Sequence, residues 1–392
     1  MTTLRPEAPP AAPAAPAAPA AALRAGVPFT DLPAQHRALE RELVAAFRRA
    51  LRSGQFVGGP EVEGFEREFA AYCEAETCVS VNSGTDALRF AYLALGMQPG
   101  DEVIAPAHTF IATTEAITQA GGRVRFVDVD ERTLTIDPAA VRAAIGPRTV
   151  GIVAVHLYGQ PADLDPLIDL AARHGLWLVE DAAQAHGARY RGRRVGTIGR
   201  LGCFSFYPGK NLGSLGEGGA VTIADSVRSL ELAMAIRRLR EHGQSSKYVH
   251  DVEGYNGRLH AIQAAFLRLK LPLLDRWNAM RRCIANSYRE TLSDIGDVTL
   301  PYVADYGEHV FHLYVIRTPK RDALREQLRR AGIGVGLHYP TPLHLQAAYA
   351  TLGYRAGDLP ITERAAAECL SLPMFPEMTE SQVARVAEAI RG

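Results

Sequence analysis

Apolar positions along the chain follow two rhythms. Leu39, Leu43, Phe47 and Leu51 recur every four residues, and Val62, Phe65, Phe69 and Tyr72 follow at spacings of three, four and three. Both stripes predict amphipathic helices whose apolar faces serve a core or a subunit interface, with the breaker segment 54–60 between them. Shorter runs then alternate. Strands are predicted over 78–81, 102–105, 123–127, 150–155 and 176–179, and helices over 84–95, 109–119, 138–144 and 164–174. This βαβα alternation argues for an α/β fold with a mostly parallel sheet wrapped by helices. No G-x-G-x-x-G follows the first strand, so the pattern is not that of a dinucleotide fold.

After Ile223 the rhythm changes. Helices are predicted over 225–240, 260–270 and 276–290, with a polar loop over 242–248 and a break at Pro272. From about Val298 a smaller α/β unit is expected: a strand over 311–316, a helix over 322–330, a Pro-rich loop over 338–344, and helices over 361–370 and 381–390. The expected organisation is an Ala/Pro-rich extension (1–26), a large α/β domain (27–255), and connecting helices with a small C-terminal domain (256–392).

Composition narrows the choice of partners. The 392 residues, 47% apolar, have room for two domains or one large unit. Lys+Arg and Asp+Glu both number 43, which gives no electrostatic basis for binding nucleic acid or an anionic membrane. An anionic ligand must therefore be met by local groups. The five cysteines are scattered, odd in number and without C-x-x-C, so they read as reduced cytoplasmic thiols rather than a disulfide frame or zinc site. No apolar run approaches the ~20 residues needed to cross a bilayer. Residues 6–22 are almost all Ala and Pro. Proline blocks a helix there, no glycine repeat supports collagen, and no Leu-rich centre supports a signal peptide. A disordered extension is expected.

The chemistry gathers at two segments. The aromatic run Phe204-Ser205-Phe206-Tyr207 predicts a buried strand that ends in Pro208-Gly209 and releases Lys210 into a turn with five glycines between Gly209 and Gly219. A lysine held close to packed surroundings loses solvation, which lowers its pKa and frees the amine as a nucleophile. The ordinary alternative is a solvated loop lysine. The second segment, Leu176-Trp177-Leu178-Val179-Glu180-Asp181-Ala182-Ala183-Gln184, is a strand ending in two acids 29 positions before the lysine, counted from Asp181. Ligands of open parallel sheets collect outside the carboxyl ends of the strands, where Asp181 is expected. Its carboxylate suits a protonated pyridine nitrogen; taken alone it is equally well a helix cap. Asn82-Ser83-Gly84-Thr85 joins the first strand to a helix, and N–H groups at such a start favour an anion.

These segments, with Gly254-Tyr255-Asn256-Gly257-Arg258-Leu259 and His338-Tyr339-Pro340-Thr341-Pro342-Leu343-His344, stand in one order along the chain. From about residue 27 onward the sequence resembles the DegT–DnrJ–StrS nucleotide-sugar aminotransferases. The resemblance implies a fold type I transferase that uses pyridoxal 5′-phosphate (PLP) and works as a homodimer with shared active sites. It assigns the cofactor-bearing amine to Lys210, the pyridine partner to Asp181, and phosphate contacts to Gly84, Thr85 and Ser205. Phe110 takes the ring-stacking position, with His108 as a neighbour, and Gln184 the side of the phenolic oxygen. Asn256 reaches the phosphate of the neighbouring subunit. Tyr339 and His344 fall at the substrate cleft. His186 reads as a satisfied structural histidine, and the two histidines flanking Pro340 and Pro342 do not suit a metal. The form 206–213 is most similar to members that aminate C-3 of a dTDP-linked 3-keto-6-deoxyhexose, with L-glutamate as donor. Amination at C-4, a UDP-sugar, or a non-catalytic regulator that kept the fold are the alternatives; a regulator is expected to lose Lys210 or Asp181.

Overall fold

The computed structural model describes residues 26–224 and 227–392, so the expected extension, except Gly26, lies outside the described residues, as does Asp225. Three helices precede the sheet: α1 (Leu32–Arg37), α2 (Glu40–Ser53) and α3 (Pro60–Cys73). The main sheet has seven strands: β1 (Thr77–Val81), β2 (Glu102–Pro106), β3 (Arg123–Val127), β4 (Thr149–Val155), β5 (Trp177–Asp181), β6 (Leu201–Ser205) and β7 (Gly219–Ile223). Their order is β1-β7-β6-β5-β4-β2-β3, with β7 antiparallel to both neighbours and the other adjacent pairs parallel. Helices α4 (Gly84–Ala94), α5 (Ala112–Gln119), α6 (Pro138–Ala144) and α7 (Leu164–His174) connect the parallel strands.

Both faces of the sheet are covered, as a parallel sheet requires. One core joins Phe65 and Phe69 of α3 to Phe204, Phe206 and Leu167. The other joins Val79, Leu88, Phe90, Ile117 and Leu232. The aromatic run at β6 shows how sequence becomes geometry. Side chains alternate across a strand, so Phe204 and Phe206 both turn towards α3, their rings edge-on to Phe69 at 5.1 and 5.2 Å. Ser205 between them faces the opposite way, towards Gly84.

Beyond the sheet come α8 (Ser229–Arg240), α9 (Ala261–Lys270) and α10 (Leu274–Leu292), then α11 (Arg321–Arg330), α12 (Pro360–Glu368) and α13 (Glu380–Arg391). An antiparallel pair, β8 (Tyr314–Arg317) with β9 (Cys369–Leu372), packs with α10, α11 and α13 around a third core. Val27 belongs to that C-terminal core, exchanging backbone hydrogen bonds with Gly332 and Gly334 at 3.0 and 2.8 Å. The chain therefore starts, in the described residues, on the unit in which it ends.

Several boundaries differ from expectation for local reasons. The helix expected from 109 starts at Ala112, because Thr109 and Phe110 form the turn above β2. The strand expected from 311 starts at Tyr314, since Phe311 has a φ of +42° and Val310 N–H donates to Gly159 O instead of a ladder partner. The helix expected through 370 yields at Cys369 to β9. The polar loop 242–248 includes half of a small hairpin, Gln244–Ser246 with Val249–His250. Among the described residues no helix is long and apolar enough to cross a membrane, and no group of three or more His, Cys, Asp or Glu could hold a metal ion.

The two acids ending β5 point to opposite faces. Glu180 is fully buried and accepts hydrogen bonds from Gly196 N–H at 2.6 Å, Ile198 N–H at 2.7 Å and Gly199 N–H at 2.6 Å. His156 completes the set: Ala162 N–H donates to its Nδ1, so Nε2 carries the proton and donates to Glu180 at 3.0 Å. Burial pushes the Glu180 carboxyl up, but the His156 and backbone hydrogen bonds outweigh it and hold the group below the ordinary glutamate range. A depressed folded value means this stabilisation is present at neutral pH and is lost as acid brings the pH down through it. Glu180→Gln turns an NH2 group towards backbone donors. Its urea midpoint should fall by the equivalent of about 3 kcal/mol, and the deficit relative to the parent should shrink as the pH is lowered.

Candidate active site

A cavity of about 640 Å³ opens at the carboxyl end of the sheet. Its walls come from separate parts of the chain: Ser83–Thr85 at the start of α4, Phe110 and Thr113 above β2, Asp181 and Gln184 at and after the end of β5, Ser205, Tyr207 and Lys210 at and after the end of β6, and His312, His338 and Tyr339 from the C-terminal part.

Asp181 forms part of the floor. It is buried, and among the described residues its two oxygens accept from uncharged donors, the Thr113 hydroxyl at 2.8 Å and Ala183 N–H at 3.2 Å. Burial raises its pKa against the opposing effects of these bonds and the charge of Lys210. Lys210 enters the same cavity from the turn after β6, closed by Lys210 N–H donating to Tyr207 O at 2.9 Å. Burial lowers its amine to about 8, and the charge of Asp181 only partly opposes the shift. The turn is tied from behind by α9: Gln263 accepts from Leu215 N–H at 2.8 Å, and Lys270 Nζ donates to Gly213 O at 2.8 Å.

At the rim, Ser83 caps α4 by accepting from Asp86 N–H at 3.1 Å, which leaves the first helical N–H groups directed at the cavity. Gly84 is required by close approach: a Cβ there would lie 2.7 Å from Ser205 Cβ. Thr85 lines the same corner. Phe110, 52% exposed, projects over the cavity with its ring 5.6 Å from that of Tyr339. Gln184 is fixed by accepting from Tyr158 N–H at 2.7 Å and donating to the Tyr339 hydroxyl at 3.1 Å.

Residues 37–391 match the model of the DegT/DnrJ/EryC1/StrS aminotransferase family. The chain belongs to that family. Among its relatives is the erythromycin biosynthesis sensory transduction protein EryC1 of Saccharopolyspora erythraea, 50% identical over 93% of this chain and 99% of that one. The dTDP-3-amino-3,4,6-trideoxy-alpha-D-glucose transaminase of Streptomyces venezuelae is 49% identical over 93% and 95%. The crystal structure of S. venezuelae DesV superimposes with a TM-score of 0.90 at 49% identity, covering 93% of this chain and 98% of that one.

Aminotransferases of this family are PLP-dependent, and the groups around the cavity fit the chemistry of that cofactor. A buried carboxylate with no fixed cation suits a pyridinium. Helix N–H groups beside two hydroxyl side chains suit a phosphate. An amine shifted towards its free base suits a carbonyl.

Eight of the ten residues expected at the site line this one cavity: Gly84, Thr85, Phe110, Asp181, Gln184, Ser205, Lys210 and Tyr339. Two do not. Asn256 is exposed elsewhere on this chain, its amide oxygen accepting from Arg258 at 3.0 Å. His344, expected at the substrate cleft, is buried behind Tyr354 and its Nε2 lies 3.1 Å from Glu363. The short helix after Pro342 turns it inwards, so it does not face the cleft. His108 sits behind the wall, hydrogen-bonded to the Tyr158 hydroxyl at 2.8 Å, and burial brings it down to about 4. His186 is structural: it packs on Phe204 and Phe206, and burial brings its ring down to about 3.

Sequence reasoning missed Thr113, Tyr207, His312 and His338, all of which line the cavity. Tyr207 and His338 stand inside motifs quoted above and could have been read from them. Thr113 and His312 sit in ordinary helical and strand-like contexts that carry no such signal.

The Lys210 value yields a direct test. In cofactor-free protein, labelling of Lys210 by an amine-selective reagent should rise with pH through a midpoint near 8, while exposed lysines titrate near ~10.4. Asp181→Asn removes the only charge opposing the shift and should move that midpoint lower.

Proposed function

We propose that this protein transfers an amino group from L-glutamate to C-3 of a dTDP-linked 3-keto-6-deoxyhexose, using PLP. The observation that carries the reading is the meeting of Lys210 and Asp181 in one cavity. The C-3 position and the dTDP carrier are supported by the name of the S. venezuelae relative and by the form of residues 206–213.

In this reading Asp181 holds the pyridine nitrogen, with Thr113 fixing the carboxylate. Gly84, Thr85 and Ser205 hold the phosphate, Phe110 covers one face of the ring, and Gln184 stands by its phenolic oxygen. When bound, the cofactor supplies an electron sink that stabilises negative charge at the carbon losing its proton. Lys210, its amine brought down towards neutrality, takes the proton from the α-carbon of glutamate and gives it up again before the 2-oxoacid leaves; in the second half-reaction it delivers a proton to C-3 of the sugar. Tyr339, steadied by Gln184, contributes to the sugar side.

The active unit is a homodimer, and Asn256 serves the pocket of a second copy. A row of apolar side chains supports this: Val44, Phe47 and Leu51 of α2, with Phe56 and Val57, are 41–57% exposed. Contiguous exposed apolar surface of this kind marks an interface. The free state of all five cysteines supports a cytoplasmic setting.

The name of the S. erythraea relative favours a regulatory protein as a second reading. Retention of Lys210 and Asp181 together argues against it.

One experiment separates the two. Holoenzyme given L-glutamate should lose its visible absorption band and release one 2-oxoacid per subunit, then aminate the dTDP-keto-sugar. Lys210→Ala should slow this by about 10³-fold or more. A parent protein that transfers no amine would leave the regulator. The shared-site proposal has its own test: Lys210→Ala and Asn256→Ala chains, each inactive alone, should regain roughly one quarter of parent activity after random mixing of subunits. No recovery would place Asn256 outside the site.

A further inference from the structure

His312 lines the cavity beside Lys210 and is joined to a run of buried side-chain amides. The direction of each amide follows from two backbone carbonyls, which can only accept. Asn278, on α10, donates through Nδ2 to His186 O at 2.8 Å. Its oxygen therefore faces Asn211, whose Nδ2 donates to it at 2.9 Å and to Val310 O at 3.0 Å. The remaining atom, Asn211 Oδ1, lies 3.1 Å from His312 Nδ1. An amide oxygen only accepts, so Nδ1 carries a proton. Asn211 and Asn278 are 2% and 1% exposed, and reversing either amide would set oxygen against oxygen in a place water does not reach.

Burial, with the charge of Lys210 second, moves the imidazole well below its ordinary range, which favours the neutral ring. A neutral ring with its proton on Nδ1 has a lone pair on Nε2. Among the described residues no protein group meets Nε2, and it is not enclosed as a buried unpartnered atom. His312 lines the cavity, so the open space there is what remains to meet Nε2. Glutamate brings carboxylates, which only accept and are repelled by a lone pair. A sugar brings hydroxyl groups, which donate.

We infer that His312 is a specificity-determining residue for the sugar half of the reaction, its Nε2 receiving a hydrogen bond from a ring hydroxyl of the keto-sugar. The inference rests on the transaminase reading above.

The first readout does not need turnover. In holoenzyme carrying 15N-histidine, with His312 assigned by its loss in His312→Gln, Nδ1 should show the shift of a protonated nitrogen and Nε2 that of a bare one. A proton on Nε2 at neutral pH overturns the inference. The second readout separates the half-reactions by single turnover. His312→Gln keeps an acceptor near where Nε2 stood, whereas His312→Asn keeps only an amide next to Asn211. The sugar half-reaction of His312→Asn should fall roughly tenfold further than its glutamate half-reaction, and His312→Gln should recover most of that difference. A purely structural role predicts the reverse order, with Asn the better substitute. That order, or parallel loss of both halves in both variants, overturns the inference. A parent enzyme that takes no amine from glutamate defeats the transaminase reading instead, and the ring-nitrogen shifts still decide the state of His312.

Discussion

Glu180 ties the backbone N–H groups of Gly196, Ile198 and Gly199 to the end of β5, with His156 closing the fourth side. The side chain never enters the cavity, yet it fixes where the cavity's acid can stand. Adjacent residues of a strand point to opposite faces, so anchoring Glu180 on one face commits Asp181 to the other. The same clamp holds the turn that leads into β6, the strand from which Lys210 emerges. One buried carboxylate thereby sets both reactive groups in register with each other.

The two groups work because neither is fully satisfied within the protein. A carboxylate paired to arginine would sit well below its ordinary pKa and hold its charge in place. Asp181 instead accepts from a hydroxyl and a backbone amide, and its pKa is raised. Lys210 has been brought down by burial without a hydrogen-bonded anion to restore it. Each group retains an unmet electrostatic need, and a bound molecule carrying a cation at one end and a carbonyl at another answers both. Structural ion pairs elsewhere, such as Glu66 with Arg237 and Arg240, show the opposite design, in which the charges answer one another and leave nothing for a ligand.

The parallel half of the sheet was legible because period carries its own information: helices α6 and α7 and strand β3 fall at their expected limits. The antiparallel strand β7 was not, because glycines around it conceal its apolar alternation. β9 was not either, since its residues also continue the apolar pattern of α12. At the site, residues inside compact motifs were legible, whereas Thr113 and His312 owe their places to how distant segments meet. His344 shows the limit of carrying a motif across by position, since the chain after Pro342 turns its ring to Glu363. Tyr339, five positions earlier, stays in the cavity.

The cavity wall runs from Phe29 and Thr30 to Met374. Val27 is held by Gly332 and Gly334, so the first described residues take their place against a segment far later in the chain. A chain leaving the ribosome can pair its parallel strands early, but it cannot close this wall until the segment through Met374 has been made. A chain without the segments that carry His312, His338 and Met374 would leave this cavity without one of its walls. The pocket around the lysine is thus a joint product of segments that lie far apart along the described chain.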